Sequence, residues 1–497
     1  MATASPLYDL AIIGGGINGC GIARDAAGRG HKVLLLEQGD LAQATSSAST
    51  KLIHGGLRYL EHYEFSLVRK ALIERETLLA MAPHIIWPLR FILPHRPQMR
   101  PVWMLRLGLF LYDHLGRRSL LPASWMLSKN DPAHALLSQS GTACFEYSDA
   151  WVDDARLVIL NAMDARAHGA DILTRCRVTT ISPEGAHWQI GASKGGKPVH
   201  FTAKAIINAS GPWADQHLFH KTQPANRLRL VKGSHIVVRK WHDDPRCLIL
   251  QNDDGRIVFV IPYEEDFCLI GTTDCDYQGD PAEVRISGDE IAYLCEAVSR
   301  QCAHRITPDD IVWSYAGVRP LMDDGQDAAQ ETTRDYHLVK SGGTGQPPLV
   351  SVIGGKITTY RVLAQDVMEL IEPDLPPRSV RQWTATAPLP GGDFPVEGFA
   401  ALVAKAAVLY PALPRKLLAR LARHYGTCLF DILGEARAME DLGPCFGADL
   451  TAREVDYLVT REWAQTAEDI VWRRSKLGLH FSDQQMLQLT GYLQDRV

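Results

Sequence analysis

The stretch YDLAIIGGGINGCGIARDAAGRGHKVLLLEQGD, residues 8 to 40, restricts the fold more than any other part of this chain. It reads as a strand, a glycine turn, a helix, and a second strand ending in an acid. Gly14, Gly16 and Gly19 fit G-x-G-x-x-G. The first glycine permits a tight turn, the second lets backbone approach a pyrophosphate, and the third lets the helix pack on its strand. The helix N-terminus then faces the phosphate charge. Glu37, 18 residues after Gly19, is placed to accept hydrogen bonds from an adenosine ribose, which disfavours a 2′-phosphate there. A mere glycine-rich turn in an α/β core would leave Glu37 unexplained. The motif therefore predicts a dinucleotide site, and it does not by itself separate NAD from FAD.

A chain of 497 residues has room for two or three domains around a large cofactor, because single cores stop growing near about 250 to 300 residues. The formal net charge of -5 gives no sign of nucleic-acid binding. Ten cysteines are scattered from Cys20 to Cys445 with no C-x-x-C pair and no metal-ligand spacing, which reads as free thiols in a reducing cytoplasm and no metal site. The N-terminal residues carry no basic region or cleavable apolar run. No 18-residue uncharged apolar segment is present, so no bilayer span is expected.

Directly after the βαβ unit comes TSSASTKLIHGGLRYL, residues 45 to 60. Thr45, Ser46, Ser47, Ser49 and Thr50 offer short donors and acceptors where a chain can run close to a pyrophosphate and a ribityl chain. Gly55 and Gly56 let backbone pass flush against a flat ring, with Arg58 and Tyr59 at its edge. A plain serine-rich loop has the same composition. Its position beside a nucleotide fold favours the cofactor reading.

GGGINGCGIARDAAGRG, TSSASTKLIHGGLRYLEH, NASGPWAD, GTTD, SYAGVRPL and GGKITTYR, in that order, resemble the FAD-dependent respiratory glycerol-3-phosphate dehydrogenases of bacteria, within the glutathione-reductase-like and D-amino-acid-oxidase-like flavoproteins. The likeness runs from about Leu7 to the C-terminal region; Cys20 stands where alanine is expected. It implies an α/β fold: a glutathione-reductase-like, Rossmann-type FAD domain, an antiparallel β substrate domain and a C-terminal all-α cap. By resemblance, Gly14, Gly16, Gly19 and Glu37 hold the ADP half of FAD. Thr45, Ser46, Ser49, Lys51, Leu52 and His54 line its pyrophosphate, ribityl chain and ring. The Val178 backbone meets adenine, and Gly211 comes near the cofactor. Gly354, Gly355 and Thr358 belong to a strand, glycine turn and helix whose amides point positive dipole at the flavin, which gains negative charge on reduction.

Arg58, Arg319, Arg334 and Lys356 sit in or beside these motifs. A dianionic phosphate suits several cations, whereas an amino-acid carboxylate is usually satisfied by one bidentate arginine. Tyr59 and Thr272 complete the expected substrate contacts. The resemblance implies oxidation of sn-glycerol 3-phosphate at C2 to dihydroxyacetone phosphate, with hydride passing to FAD and electrons onward to ubiquinone or menaquinone. The proton needs a base within hydrogen-bond reach. His235 is the first candidate and His54 the second, with Arg319 beside them in catalysis. The rival readings are a glycerol-3-phosphate oxidase using oxygen, and a catalytically inert flavoprotein or lipid-binding scaffold.

Strand-like runs between residues 230 and 275 predict an antiparallel sheet over the flavin. The oxidoreductase body is expected over 1–386, with FAD-binding parts at about 1–85, 146–230 and 345–386 and substrate or membrane-proximal parts at about 86–145 and 231–344. After the linker APLPGGDFP, residues 388–497 read as helical: Leu417, Leu421 and Tyr425 recur at four-residue spacing before Gly426, and TARE and SDQQ read as capping boxes. Arg473 and Arg474 read as solvated. In residues 85–127, Trp87, Trp103 and Trp125 accompany Arg90, Arg96, Arg100, Arg106, Arg117 and Arg118 against one acid, Asp113. This composition suits an anchor on an anionic membrane lipid surface or a buried helix; the resemblance favours a peripheral protein on the inner face of the cytoplasmic membrane. Family analogy adds a homodimer.

Overall fold

A computed structural model describes residues 6–57, 60, 63–96, 100–116, 118–139, 142–215, 228–323, 335–343 and 345–496. Leu7–Ile13 forms the central strand of an eight-stranded sheet, because its apolar residues need cover on both faces. Leu10 and Ile12 join the cluster beneath the helices, while Ala11 and Ile13 face the opposite layer. The order across the sheet is Tyr336–Gly343, Gln346–Gly354, Lys197–Asn208, Leu7–Ile13, Val33–Leu36 and Asp171–Leu173. The pairs from Gln346–Gly354 to Asp171–Leu173 are all parallel. Helices Ile17–Gly28, Asp154–Ala167 and Tyr360–Ile371 cover one face, and the antiparallel strands Cys176–Glu184 and His187–Lys194 extend over the other.

A second, ten-stranded and mostly antiparallel sheet contains Leu228–Arg239, Ile257–Tyr263, Phe267–Gly271 and Ile311–Met322. Its strands divide the chain differently from the expected parts at three places. Leu52–Ile53 and Cys144–Val152 pair in this sheet, whereas Tyr336–Gly343 pairs with Gln346–Gly354 in the first. Backbone pairing, which composition does not report, decides each case.

The C-terminal unit has its own core, to which Leu417, Leu421 and Tyr425 all contribute. A short hairpin, Cys445–Gly447 with Leu450–Thr451, interrupts the expected all-α pattern. Ser482 forms the capping box with Gln485. Thr451 makes no side-chain cap; Glu454 is instead drawn inward, accepting from Arg420 Nη2 at 2.7 Å and Tyr425 Oη at 2.7 Å. The linker is packed rather than loose, with the Leu389 amide donating to the Met81 carbonyl at 2.9 Å.

The expected solvation of Arg473 and Arg474 is wrong. Arg474 is fully enclosed, and both guanidiniums bind Asp40 of the nucleotide domain. The expected anchor also narrows. Trp87 lies in strand Ile86–Pro94 against Trp151 and Arg423. Arg90 pairs with Glu146, Arg96 with Asp253 and Arg118 with Asp113, while Arg117 lies outside the described residues.

The two units are also joined by Arg156, whose Nη2 is 3.0 Å from Glu462 Oε1, with both residues buried. Arg156→Met removes the partner of an enclosed carboxylate, which costs about 3 to 5 kcal/mol. Urea unfolding followed by tryptophan fluorescence should shift to clearly lower denaturant.

Candidate active site

The parallel strands Leu7–Ile13, Lys197–Asn208 and Gln346–Gly354 all end at one edge of the first sheet, and each runs into a glycine turn. Gly14 has φ +117°, and a Cβ there would lie 2.3 Å from the Ala209 carbonyl oxygen. A Cβ on Gly19 would lie 1.9 Å from the Gly14 carbonyl oxygen. These glycines therefore let the helix, its own strand and the neighbouring turn meet. Gly16 precedes helix Ile17–Gly28, whose first amide donates to Ser46 Oγ at 3.0 Å. Glu37 Oε2 and Oε1 accept from the Gly15 and Gly39 amides at 2.6 and 2.7 Å. Burial raises the Glu37 pKa, and those amides oppose the rise.

The turns after the other two strands close on the same edge. Gly211 opens a tight turn at φ +58°. Gly354 and Gly355 adopt φ +77° and +96°, and Asn18 Nδ2 donates to the Gly354 carbonyl at 3.2 Å. The Asn18 Oδ1 atom is buried without a protein partner. Thr358 Oγ1 lies 3.3 Å from the His54 amide, so the 52–55 segment is tied to the 354–358 turn. Val178 lies at a bulge in the strand beside this edge. The edge thus has a glycine cradle, a helix N-terminus, a carboxylate and an unused amide oxygen, a donor and acceptor set that fits a dinucleotide.

Segment 45–54 bridges the two sheets. Thr45 Oγ1 donates to the Val318 carbonyl at 2.6 Å, and Gly317 leaves room for Ala48, which a Cβ would approach to 2.8 Å. Ser49 Oγ donates to Asp154 Oδ2 at 2.7 Å. Lys51 Nζ is fully enclosed, 2.6 Å from Asp154 Oδ1, and burial lowers its pKa. Ser49 and Lys51, both expected to line the cofactor, direct their side chains to Asp154. Leu52 is buried in the second sheet.

Thr50 Oγ1 lies 3.0 Å from His235 Nε2. His235 is enclosed and stacks on Tyr315 at 4.8 Å and 16°, while its Nδ1 has no protein partner. Burial, then the Arg319 and Lys51 charges, push the His235 pKa well below its usual value; Asp274 opposes them. Gly271 makes this packing feasible, since a Cβ there would meet His235 Cδ2 at 2.1 Å. Arg319 pairs with Asp274, and its Nη2 is 3.5 Å from Thr272 Oγ1. Gly233 leaves space where those two side chains cross. Behind the strands, Glu290 Oε1 accepts from Ser234 Oγ at 2.9 Å and Thr273 Oγ1 at 2.7 Å, which ties together the residues next to His235 and Thr272. Lys356 is half-buried just after the Gly354–Gly355 turn. Arg58, Tyr59 and Arg334 lie outside the described residues.

Sequence reasoning passed over several of these residues. Tyr315 was legible in SYAGVRPL, two and four positions from Gly317 and Arg319 on one strand face. Asp274 stood in GTTD. The buried set behind Gly55 had no local signal: its amide donates to Tyr112 Oη at 2.8 Å, Tyr112 donates to Asp149, and Arg75 pairs with Asp149.

Residues 9–361 match the model of the family described as FAD dependent oxidoreductase. This chain belongs to the FAD-dependent oxidoreductases. FAD is accordingly its cofactor, and the donors and acceptors of the glycine edge fit that dinucleotide. Residues 382–489 of this oxidoreductase match the C-terminal domain of alpha-glycerophosphate oxidase. A glycerol-3-phosphate dehydrogenase of Pseudomonas aeruginosa is 52% identical, over 99% of this chain and 96% of that protein. A D-erythritol 1-phosphate dehydrogenase of Brucella abortus is 49% identical, over 96% and 95%. The crystal structure of a Bacillus halodurans glycerol-3-phosphate dehydrogenase complexed with FAD superposes with a TM-score of 0.75 at 27% identity, covering 98% of this chain and 89% of that one.

Gly19→Val places side-chain atoms inside the Gly14 turn. The purified variant should lose its FAD absorbance on ultrafiltration under conditions where the wild type keeps it.

Proposed function

We propose that this oxidoreductase oxidises sn-glycerol 3-phosphate at C2 to dihydroxyacetone phosphate and passes the electrons to a membrane quinone. The observation that carries the reading is the placement of His235 and Arg319 on adjacent strands, with Thr272 directly after the strand that pairs with His235, joined through segment 45–54 to the glycine edge. Relatives named for glycerol 3-phosphate and D-erythritol 1-phosphate support a polyol phosphate as substrate.

Arg319 and Lys356 provide positive charge for a phosphate dianion, with the Thr272 hydroxyl beside the Arg319 guanidinium. Arg58, Tyr59 and Arg334 belong to the same proposal through their motifs. FAD, when bound, supplies the hydride acceptor. His235 stays neutral because its enclosure beside Arg319 and Lys51 disfavours a further positive charge. With its proton on Nε2 donated to Thr50, the lone pair falls on Nδ1, which can take the substrate hydroxyl proton. The opposite tautomer would leave a buried N–H unsatisfied. His54 is the less suited base, since its segment is tied by backbone contacts to Thr358.

A membrane-facing surface supports quinone as acceptor. Trp103, Leu107 and Phe110 are exposed together on one face of helix Val102–Leu115, beside exposed Arg100 and Arg106, while Leu109 and Tyr112 pack inward. Apolar rings flanked by arginines suit the headgroup boundary of an anionic membrane. Among the described residues no helix is long and apolar enough to cross a bilayer.

Anaerobic glycerol 3-phosphate should bleach the flavin absorbance, and D-erythritol 1-phosphate should do so more slowly. His235→Ala should slow bleaching at least about 100-fold. Arg319→Ala should raise the substrate concentration needed while FAD stays in place. Since the neutral imidazole is the base, the wild-type rate should hold as pH falls through 6.5, the ordinary histidine value, and decline only below it. Peroxide formation as fast as quinone-analogue reduction would overturn the quinone assignment; absence of bleaching would overturn the activity. Exchanging Trp103 and Phe110 for alanine should weaken binding to phosphatidylserine vesicles at least about tenfold, because each buried aromatic contributes about 1.5 to 3 kcal/mol.

A further inference from the structure

One six-residue segment of the C-terminal unit contacts both the second sheet and the nucleotide domain. Asp469–Arg474 forms a single π-helical turn, a rare geometry that places three consecutive side chains, Trp472, Arg473 and Arg474, against the other domains.

On one side, Trp472 stacks on Trp313 with ring centroids 4.3 Å apart and an interplanar angle of 15°. Trp313 lies 5.0 Å from Tyr315, two positions along the same strand face, and Tyr315 stacks on His235 at 4.8 Å. An unbroken row of four rings therefore runs from the C-terminal unit to the proposed base. Gly478 backs the outer ring closely, since a Cβ there would lie 2.5 Å from the Trp472 indole. Lys476 donates to the Trp472 carbonyl at 2.8 Å and lies 3.6 Å from Asp153, next to the aspartate that holds Lys51. The end of the row is thus held from two directions.

On the other side, Arg473 Nε is 2.6 Å and Arg474 Nη2 is 2.8 Å from the carboxylate of Asp40. Asp469 Oδ2 accepts from Arg175 Nη2 at 2.6 Å, and the Arg175 and Cys176 amides donate to the Gly39 and Glu37 carbonyls at 2.8 and 2.7 Å. The loop so gripped, 37–40, carries the carboxylate proposed to meet the adenosine ribose.

We propose that this turn is a positioning clamp: Trp472 fixes the plane of His235 through Trp313 and Tyr315, and Arg473 with Arg474 fixes the Glu37 loop at the adenosine end of the FAD site. The first arm rests on the proposed polyol-phosphate oxidation; the second needs only FAD binding. In this scheme Trp472, Arg473 and Arg474 touch neither substrate nor cofactor and act through the residues they hold.

The test uses the full-length holoenzyme. Trp472→Ala should slow anaerobic bleaching by saturating glycerol 3-phosphate at least about tenfold, with FAD content and KM unchanged, as a small misplacement of a reacting group does. Trp472→Phe, which keeps a ring on Trp313, should recover most of the rate. Arg473→Ala, which leaves Arg474 on Asp40, should release FAD several-fold faster on ultrafiltration, and Arg473→Lys should restore retention. Bleaching by Trp472→Ala at the wild-type rate, a defect that phenylalanine does not repair, or wild-type FAD retention by Arg473→Ala would each overturn the clamp. A wild type that glycerol 3-phosphate fails to bleach would reject the proposed activity instead, and FAD retention alone would then decide the clamp.

Discussion

The buried ion pair between Lys51 and Asp154 is the interaction on which the site depends. An enclosed ammonium and carboxylate are costly to desolvate, and they are tolerated when geometry is close and remaining hydrogen bonds are satisfied. Here Asp154 also accepts from the Ser49 amide and hydroxyl, and Lys51 from its Nζ reaches the Ser47 carbonyl. The pair holds Lys51 at φ +59°, a left-handed conformation that costs a residue with a Cβ about 1 to 2 kcal/mol. With Lys51 fixed, Thr50 is presented to His235, and the Lys51 carbonyl accepts the Val152 amide. A short segment with little regular structure thereby acquires one conformation between two sheets.

The two sheets divide the work physically. The parallel sheet ends in glycine turns, where missing side chains open a path to backbone amides and a helix dipole. The antiparallel sheet alternates its side chains, so Trp313, Tyr315, Gly317 and Arg319 share one strand face. Rings, space and charge then occur in sequence along that face. Gly233 and Gly271 complete it from the neighbouring strands by leaving volume for the arginine and the imidazole. Loss of either glycine's vacancy would push Arg319 or His235 aside without touching the glycine edge of the first sheet.

The C-terminal unit is bound to this arrangement by charge as much as by apolar contact. Asp40, Asp153 and Glu462 each meet a cation across the junction. Such pairs contribute little net stability when compared with apolar packing, but they tolerate little misplacement. They are suited to fixing the relative placement of units that already have their own cores.

What the sequence determined alone was whatever depends on short-range order. Strand, glycine turn, helix and terminal acid lie within 40 residues, and the glycines' steric role follows from their spacing. Clustered strand-like runs likewise announced the second sheet, and four-residue spacing announced the C-terminal helices. Tertiary structure decided which charges are surface and which are core. Arg473 and Arg474 have the composition of a solvated pair, yet both bind Asp40, more than 400 residues away, and Arg474 is enclosed. It also decided that Thr50 partners His235, 185 positions distant, and that Trp87 packs half-buried against a core cluster while Trp103 stays outside. The physical reason is that burial and partnership depend on how distant strands pair, and identical side chains carry no mark of the neighbours that pairing will bring.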